Sequence, residues 1–429
     1  MTLVLVVLFG LMLLGIPVAF AILSAGMAYL ATTGGSMLVV AQRLIYGLNS
    51  FTLLAVPLFI LVGNLMDFGG ISKRLTDWAK SILGWLPGGL GIVTVFSCAI
   101  FAALTGSGPA TVAAIGSIML PSMLKAGYSK DTSAGLVASA GALGPIIPPS
   151  IPMIIYGVTM NLSIPAMFMA GVIPGLVIAL ALSLVNVVFA YRNPEVLKHA
   201  KTMKFDFKES MKLFWKALGA LGLPVLILGG IYGGIFTPTE SAAVGIVYAL
   251  ILGFALKELK LKDLPKILIN SLKTSTMVNF IIAAASLFSW VVSKSQIGTV
   301  ISNAFISFVG GSQALYLFVL VVVLLIVGCL MDNVAATLIL APILIPVGIA
   351  LGCNELHIGM LFCICLVVGF VTPPFGYNLF TAVSISGLNF KQIVKGSLPF
   401  LLTEILLLFV FAYVPGIITW LPRLMGYGY

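Results

Sequence analysis

Long apolar runs, separated by short polar segments, make up most of the chain. The polar breaks hold nearly all of the charge and fall at about residues 34–47, 67–90, 125–130, 160–165, 192–215, 257–273, 294–313, 352–357 and 387–391. A hydrocarbon core of about 30 Å requires roughly 20 apolar residues for each helical crossing. The pattern therefore predicts an all-α, polytopic membrane protein with room for about eleven crossings and some shorter segments.

The first apolar run carries no basic start, because no Lys or Arg precedes Arg43. It also continues too long for the apolar core of a cleaved signal peptide. We therefore expect it to be retained as a first membrane helix.

Composition supports the bilayer as the main solvent of this surface. Apolar residues make up 61% of the chain and charged residues 8%, with a mean hydropathy of +1.20. The net charge is +10, and the basic residues responsible for it lie between the apolar runs, where they set the orientation in the membrane. We therefore expect the lipid bilayer as a partner and no nucleic-acid partner. Two scattered histidines and five cysteines without paired spacing predict no transition-metal site and no disulfide framework.

The basic residues also predict a topology. If Met1 is cytoplasmic and the runs 91–124 and 314–351 each enter and leave on one face, 19 of the 22 basic residues lie in the cytoplasm. Short cytoplasmic loops collect Lys and Arg, so this count favours two re-entrant hairpins and a cytoplasmic N-terminus.

A constant spacing of 225 residues relates the two halves of the chain. It pairs residues that are mostly Gly or Pro: Ala110 with Ala335, Pro121 with Pro346, Gly127 with Gly352, Gly144 with Gly369, Pro148 and Pro149 with Pro373 and Pro374, Gly171 with Gly396, and Pro174 with Pro399. The run 217–236 has no mate and is expected to join the copies. Two inverted repeats follow from the topology above, although chance matches in a Gly-rich membrane chain are the alternative.

Both hairpins contain a polar interruption at the same register. GSGPATVAA occupies 106–114 and MDNVAATLI occupies 331–339. Gly and Pro disfavour helix in the first, and Asp332 and Asn333 are costly in hydrocarbon unless they face a cavity or partners. Each hairpin is therefore predicted to be two half-helices that meet at a tip near the membrane midplane.

A proline pair follows each hairpin, in ALGPIIPPSIP (142–152) and VGFVTPPFGYN (368–378). Proline cannot donate to the carbonyl four residues earlier, so both segments are predicted to be discontinuous helices with freed carbonyl oxygens. Sodium suits such neutral ligands, with hydroxyls available from Ser107, Thr111, Thr337 and Thr372. The alternative is a pair of proline kinks filled by packing or water.

No Lys or Arg lies in either tip or either broken helix. An anionic substrate would therefore be met by half-helix N-termini, bound sodium and small polar groups. Asp332 would oppose a carboxylate, which favours a role in holding a substrate hydroxyl, orienting the tip or neutralising sodium. Glu240 in TPTE is expected to cap a helix, and Glu404 to mark a helix contact or a surface that faces a partner.

These motifs, with the linker GGIFTPTESAAVG (233–245), resemble the large permease subunit of tripartite ATP-independent periplasmic transporters over nearly the whole chain. The resemblance implies sodium symport of a carboxylated substrate by an elevator-like movement, a separate small membrane subunit of about four helices, and a soluble periplasmic delivery protein. It also implies a location in the bacterial inner membrane, no enzymatic activity and no cofactor other than Na⁺ as the coupling ion.

The resemblance also assigns residues by position. Two sodium sites are expected at Gly106, Ser107, Gly108, Gly144 and Pro148, and at Asp332, Asn333, Gly369, Thr372 and Pro373. Substrate is expected between the tips, near Thr111, Ser150, Tyr156, Asp332 and Asn378. The sialic acid N-acetylneuraminate is the leading substrate, and the C4-dicarboxylates succinate, malate and fumarate are the main competitors.

The predicted division follows the repeats. Residues 1–90 form scaffold and arm helices, 91–160 the first transport hairpin and broken helix, 161–313 scaffold helices with basic loops and the repeat linker, 314–386 the second transport hairpin and broken helix, and 387–429 a C-terminal scaffold helix. A passive channel, a membrane-embedded hydrolase and a purely scaffolding subunit are the other functional classes. No GxxxxGK[ST] nucleotide loop is present, and no nucleophile with a base occurs in the apolar runs.

Overall fold

The computed structural model describes residues 2–428, and every regular element within them is helical. The first half comprises α1 Thr2–Leu13, α2 Val18–Thr33, α3 Leu38–Leu48, α4 Ala55–Phe68, α5 Ile71–Leu83, α6 Gly89–Thr105, α7 Gly108–Lys125, α8 Lys130–Ala140, α9 Ile151–Met160 and α10 Ile164–Tyr191. Two connecting helices follow, α11 Pro194–Thr202 and α12 Phe207–Tyr232.

The second half comprises α13 Pro238–Ala255, α14 Leu264–Lys294, α15 Ile297–Val309, α16 Gln313–Leu330, α17 Asn333–Ala350, α18 Glu355–Gly369, α19 Tyr377–Ser386, α20 Phe390–Tyr413 and α21 Gly416–Leu424. Among residues 2–428, eight helices are long and apolar enough to cross a membrane, and five shorter helices are also apolar. The all-α, multi-span fold is therefore confirmed. Several apolar runs are divided into shorter helices, so crossings cannot be counted as one helix for each run.

The internal duplication is confirmed in the order and bounds of the helices. Helix α7 begins at Gly108 and α17 at Asn333, which are 225 residues apart. The pairs α5 and α15, α6 and α16, α8 and α18, α9 and α19, and α10 and α20 begin at the same spacing to within one residue. Helix α12 has no counterpart and joins the copies, as expected for run 217–236. Each copy contains a helical hairpin, α6 with α7 or α16 with α17, followed by a discontinuous helix.

The two copies interlock through their broken helices. Helix α9, the second part of the first broken helix, packs against α17 of the second hairpin. Helix α19 packs in the same way against α7 of the first hairpin. The two halves therefore form one core, in which each hairpin is held by the opposite copy.

The prediction of a single first helix is wrong. The run splits into α1 and α2, which pack against each other across a turn that contains Gly15 and Pro17. Gly15 has a φ of +79°, and Pro17 lacks the amide hydrogen needed to continue the ladder, so a continuous helix ends there. The prediction that Met1 is cytoplasmic assumes that this run crosses the membrane once. Met1 lies outside the described residues, and its orientation stays a prediction.

Two further details differ from the expectation at the C-terminal end. The range 387–429 contains two helices, α20 and α21, because Pro415 stands between them and interrupts the ladder. Glu404 is 1% exposed, which excludes a role on a surface that faces a partner. The division of the chain into transport and scaffold segments stays a prediction.

Local helix signals are confirmed where they are strongest. Thr237 and Glu240 form a reciprocal capping box at the start of α13, with the Thr237 amide donating to Glu240 Oε2 at 2.8 Å. All five cysteines are buried and free.

Candidate functional site

The tip of the first hairpin rests directly on the first broken helix. Gly106 ends α6 with a φ of +59°, and a Cβ there would lie 2.8 Å from the Pro149 backbone oxygen. Gly144 meets the other side of the tip, since its Cβ would lie 2.6 Å from the Ser107 backbone oxygen. Because glycine has no Cβ, Gly106 can approach Pro149 and Gly144 can approach Ser107 this closely. The structure thus brings the predicted residues Gly106, Ser107, Gly108 and Gly144 together.

The second tip is built around a side-chain cap. Asp332 precedes α17, and its Oδ1 accepts a hydrogen bond from the Val334 amide at 2.8 Å. Ser107 holds the equivalent position before α7 but makes no side-chain cap. The second copy therefore places a carboxylate at a half-helix N-terminus where the first copy has a hydroxyl.

Each broken helix opens over seven or more residues at its proline pair. Helix α8 ends at Ala140, a short 3₁₀ turn covers Gly141–Leu143, and α9 begins at Ile151. In the second copy α18 ends at Gly369 and α19 begins at Tyr377. Both Pro-Pro peptide bonds, Pro148-Pro149 and Pro373-Pro374, are cis.

Some of the carbonyl oxygens that these prolines release find partners within the protein. The Pro145 oxygen accepts a hydrogen bond from the Ser150 hydroxyl. The Gly369 oxygen accepts a hydrogen bond from the Thr372 backbone N–H at 3.0 Å. The Phe370 oxygen accepts one from the Asn378 backbone N–H at 3.1 Å. A carbonyl oxygen has two lone pairs, so each of these groups retains capacity to accept a further contact.

Several buried oxygens near the tips have no partner within the described part of the chain. Asn378 donates through Nδ2 to the Ala138 oxygen at 3.0 Å, whereas its Oδ1 is unpartnered and faces Gly108. In the second copy, the Asn333 side-chain amide and the Thr337 hydroxyl are unpartnered and buried. Buried oxygens without donors are costly, and oxygen donors are the ligands of hard cations.

The remaining predicted sodium residues occupy the second break. Gly369 packs on the second hairpin, where its Cβ would lie 2.4 Å from the Gly328 carbonyl carbon. The Thr372 hydroxyl donates to the Val368 oxygen at 3.0 Å. Pro148 and Pro373 each begin the cis pair of their copy. The sodium assignments stay predictions.

The predicted substrate residues do not share one accessible surface. Thr111, Ser150, Tyr156 and Asn378 are at most 1% exposed. Tyr156 packs against Phe362 of α18, with ring centroids 5.6 Å apart, and Asn378 lies beside the first tip. Asp332 is partly accessible. These substrate assignments stay predictions.

A cleft of about 590 Å³ lies beside this core. Its walls come from α3, α9, α14 and Leu338 of α17, and its polar lining comprises Arg43, Tyr46, Asn49, Ser50, Thr159, Ser286, Ser289, Trp290 and Ser293. Sequence reasoning missed this feature, because Arg43 lies in a polar break and meets α14 only in three dimensions. The sequence signal for it was a single arginine, Arg43, three residues before Tyr46 in the polar break 34–47.

Among residues 2–428, no group of three or more His, Cys, Asp or Glu side chains could hold a metal ion. The oxygens at the tips are amide, hydroxyl and carbonyl groups, with Asp332 as one carboxylate. Such a set of hard oxygen donors suits a small alkali cation better than a soft transition metal.

Comparison with known proteins agrees with this architecture. Residues 5–417 match the family model described as tripartite ATP-independent periplasmic transporter, DctM component. The isethionate TRAP transporter permease protein DctMQ of Oleidesulfovibrio alaskensis is 40% identical over 95% of this chain, which spans 64% of that protein.

Two further relatives are similar along nearly their whole length. The C4-dicarboxylate TRAP transporter large permease protein DctM of Pseudomonas aeruginosa is 39% identical, with 94% of each chain covered. The sialic acid TRAP transporter large permease protein SiaM of Vibrio cholerae is 34% identical, with 98% of each chain covered.

The fold also occurs in a solved structure of low sequence identity. The YdaH transporter of Alcanivorax borkumensis, described as having an unusual topology, aligns with a TM-score of 0.60 at 14% identity. The alignment covers 94% of this chain and 90% of that one. This likeness concerns the fold.

Proposed function

Because the chain belongs to the DctM components of tripartite ATP-independent periplasmic transporters, we propose that it carries out sodium-coupled uptake of an organic anion across the bacterial inner membrane. Its relatives are named as transporter permeases, not as enzymes. Family membership places the chain in a tripartite system. The proposed partners are a small membrane subunit of about four helices and a periplasmic protein that delivers the substrate.

One observation carries the sodium coupling. Twice, at positions 225 residues apart, a hairpin tip meets a helix opened by a proline pair. Buried oxygens without donors lie near these places, at Asn378 in the first and at Asn333 and Thr337 in the second. A cation at each place would satisfy oxygens that otherwise remain costly in a low-dielectric core.

The proposed substrate is a small organic acid. N-acetylneuraminate and the C4-dicarboxylates succinate, malate and fumarate are the two candidates from the sequence motifs. The relative named for C4-dicarboxylates is 39% identical and the relative named for sialic acid 34%, with isethionate at 40% as a third candidate. This order favours a small acid over a sialic acid.

The proposed mechanism is an elevator movement. The two hairpins and two broken helices interlock across the copies, so they are suited to move as one unit that carries ion and substrate together. Inverted copies supply two similar arrangements of one fold, one open to each side of the membrane.

An uptake assay tests the proposal. The chain is reconstituted into liposomes with its small subunit, the delivery protein is added outside, and radiolabelled succinate, isethionate and N-acetylneuraminate are offered separately. Accumulation of one acid under an inward sodium gradient, lost when an ionophore collapses that gradient, is expected. A passive channel would instead equilibrate the acid with no dependence on sodium, and that result would refute the proposal.

A further inference from the structure

The cleft beside the core contains one arginine that is held in a defined position. Arg43 is half-buried, with its guanidinium carbon 5.5 Å from the Trp290 ring centre and 5.6 Å from the Tyr46 ring centre. Planar guanidinium groups stack on aromatic faces and keep their hydrogen-bond donors free at the edges. The two rings therefore orient Arg43 without using its N–H groups.

Close packing of two helices fixes this pair. One helical turn beyond Arg43, a Cβ at Gly47 would lie 2.4 Å from the Ser286 Cβ. Helices α3 and α14 thus touch at Gly47, and Trp290 lies one turn beyond Ser286 on α14. The arginine and its aromatic support consequently belong to one rigid wall of the cleft.

Within residues 2–428, no acidic side chain forms an ion pair with Arg43, whereas Arg74 pairs with Glu258 in this way. The polar groups that share the cleft are hydroxyls and an amide, including Ser286, Ser289 and Asn49. A partly desolvated cation without a counter-ion attracts an anion, and a guanidinium binds a carboxylate or sulfonate through two parallel hydrogen bonds.

Another part of the cleft lining comes from helices that lead to the hairpin tip and the first break. Leu338 lies on α17 five residues after Asn333, which is about 7.5 Å along a helix axis. Thr159 and Ile155 of α9 complete this wall, on the helix that begins at the first break. An acid bound at Arg43 would therefore lie close to the ion-binding region.

We infer that Arg43 binds the carboxylate or sulfonate of the transported acid in this cleft, before the acid reaches the hairpin tips. The inference rests on the proposed function and adds the residue that recognises the charge of the substrate. The acid would exchange the fixed cation of the α3–α14 wall for bound sodium as the core moves.

The test compares three variants in the reconstituted complex. The acid used is the one of succinate, isethionate and N-acetylneuraminate that the wild-type complex transports. Arg43→Gln is expected to raise the KM for this acid at least about tenfold, because a charge-assisted hydrogen bond is lost. Arg43→Lys keeps the charge but cannot form two parallel hydrogen bonds, so its KM is expected to lie between those of the wild type and Arg43→Gln. Arg74→Gln removes an arginine outside the cleft and is expected to leave KM within about twofold.

Two further measurements are specific to binding of the acid at Arg43. At a saturating concentration of the acid, the sodium concentration for half-maximal uptake should not change in Arg43→Gln, and all variants should elute with the small subunit in gel filtration. Direct binding of the acid to the detergent-solubilised complex, without delivery protein, should weaken in Arg43→Gln. An unchanged KM, or a loss of affinity for the delivery protein alone, would overturn the inference. If the wild-type complex transports none of the acids, the proposed function fails instead.

Discussion

Asn378, in the first turn of α19 of the second copy, donates from Nδ2 to the backbone oxygen of Ala138 in the first copy at 3.0 Å. The contact joins the second broken helix to the last turn of α8, and the Asn378 side chain is fully buried. Its Oδ1 remains unpartnered beside Gly108 within the described chain. One side chain therefore links the two halves and directs an oxygen at the first hairpin tip.

Replacing Asn378 with Ala is expected to weaken both the fold and sodium binding. The Ala138 oxygen would lose its donor in a buried position, at a cost of about 1–3 kcal/mol. Loss of Oδ1, a proposed sodium ligand, is expected to raise the sodium concentration for half-maximal uptake about tenfold, equivalent to about 1.4 kcal/mol. Thermal unfolding and sodium-dependent uptake measure the two effects.

Asn64 offers a matched control for this prediction. Its Nδ2 donates to the Ser271 hydroxyl at 2.8 Å, between α4 and α14. Asn64→Ala should lower thermal stability while leaving sodium dependence unchanged. An equal sodium shift in both variants would contradict a specific role for Asn378.

Replacing Gly106 with Ala is expected to abolish uptake. The new Cβ would lie 2.8 Å from the Pro149 oxygen, in addition to a left-handed backbone penalty of about 1–2 kcal/mol. Gly34 has a similar φ of +70° but no neighbour within 4 Å of a Cβ, so Gly34→Ala isolates the backbone penalty. Uptake at saturating sodium should persist in Gly34→Ala. Comparable losses in both would show that contact between tip and break is unimportant.

Replacing Asp332 with Ala is expected to reduce uptake at least about tenfold while leaving assembly with the small subunit intact. The change removes the helix cap, worth about 0.5–2 kcal/mol, and the carboxylate at the tip. Asp206 caps α12 through the Lys208 and Glu209 amides on an exposed surface. Asp206→Ala should therefore cost similar stability without affecting transport. Normal uptake by Asp332→Ala would defeat the assignment.

Glu404 is expected to tolerate an apolar replacement. Both carboxyl oxygens are buried with no hydrogen-bond partner in residues 2–428, which costs about 1–3 kcal/mol for such a polar group. Glu404→Leu should consequently raise the melting temperature or leave it unchanged, and sodium-dependent uptake should remain. Uptake lost from a well-folded Glu404→Leu protein would instead assign Glu404 to transport.

The sequence predicts the elements whose shape depends on single residues. The tip at Gly106 and the breaks at Pro148 and Pro373 follow from local backbone chemistry, and the structure places them as expected. The division of the first run was also available locally, since Gly15 and Pro17 are strong helix breakers. Mean hydropathy over a long window obscures such a short interruption.

Contacts between distant segments could not be predicted in this way. Arg43 meets Trp290, and Asn378 meets Ala138, only because the helices that carry them pack side by side. Neither contact leaves a periodic signature in its own segment. The substrate residues expected near the tips are mostly buried. Their burial could not be predicted either, because sequence position does not reveal which distant segments cover a side chain.

Helix α12, which joins the two copies, determines more than the length of the connection. A repeat unit that crosses the bilayer an even number of times returns to its starting side, so one additional crossing is enough to turn the next unit upside down. If each copy crosses the bilayer an even number of times, two copies joined without a crossing by α12 would face the same way. The ability of one fold to present its binding region alternately to both compartments would then depend on whether a single connecting helix crosses the bilayer.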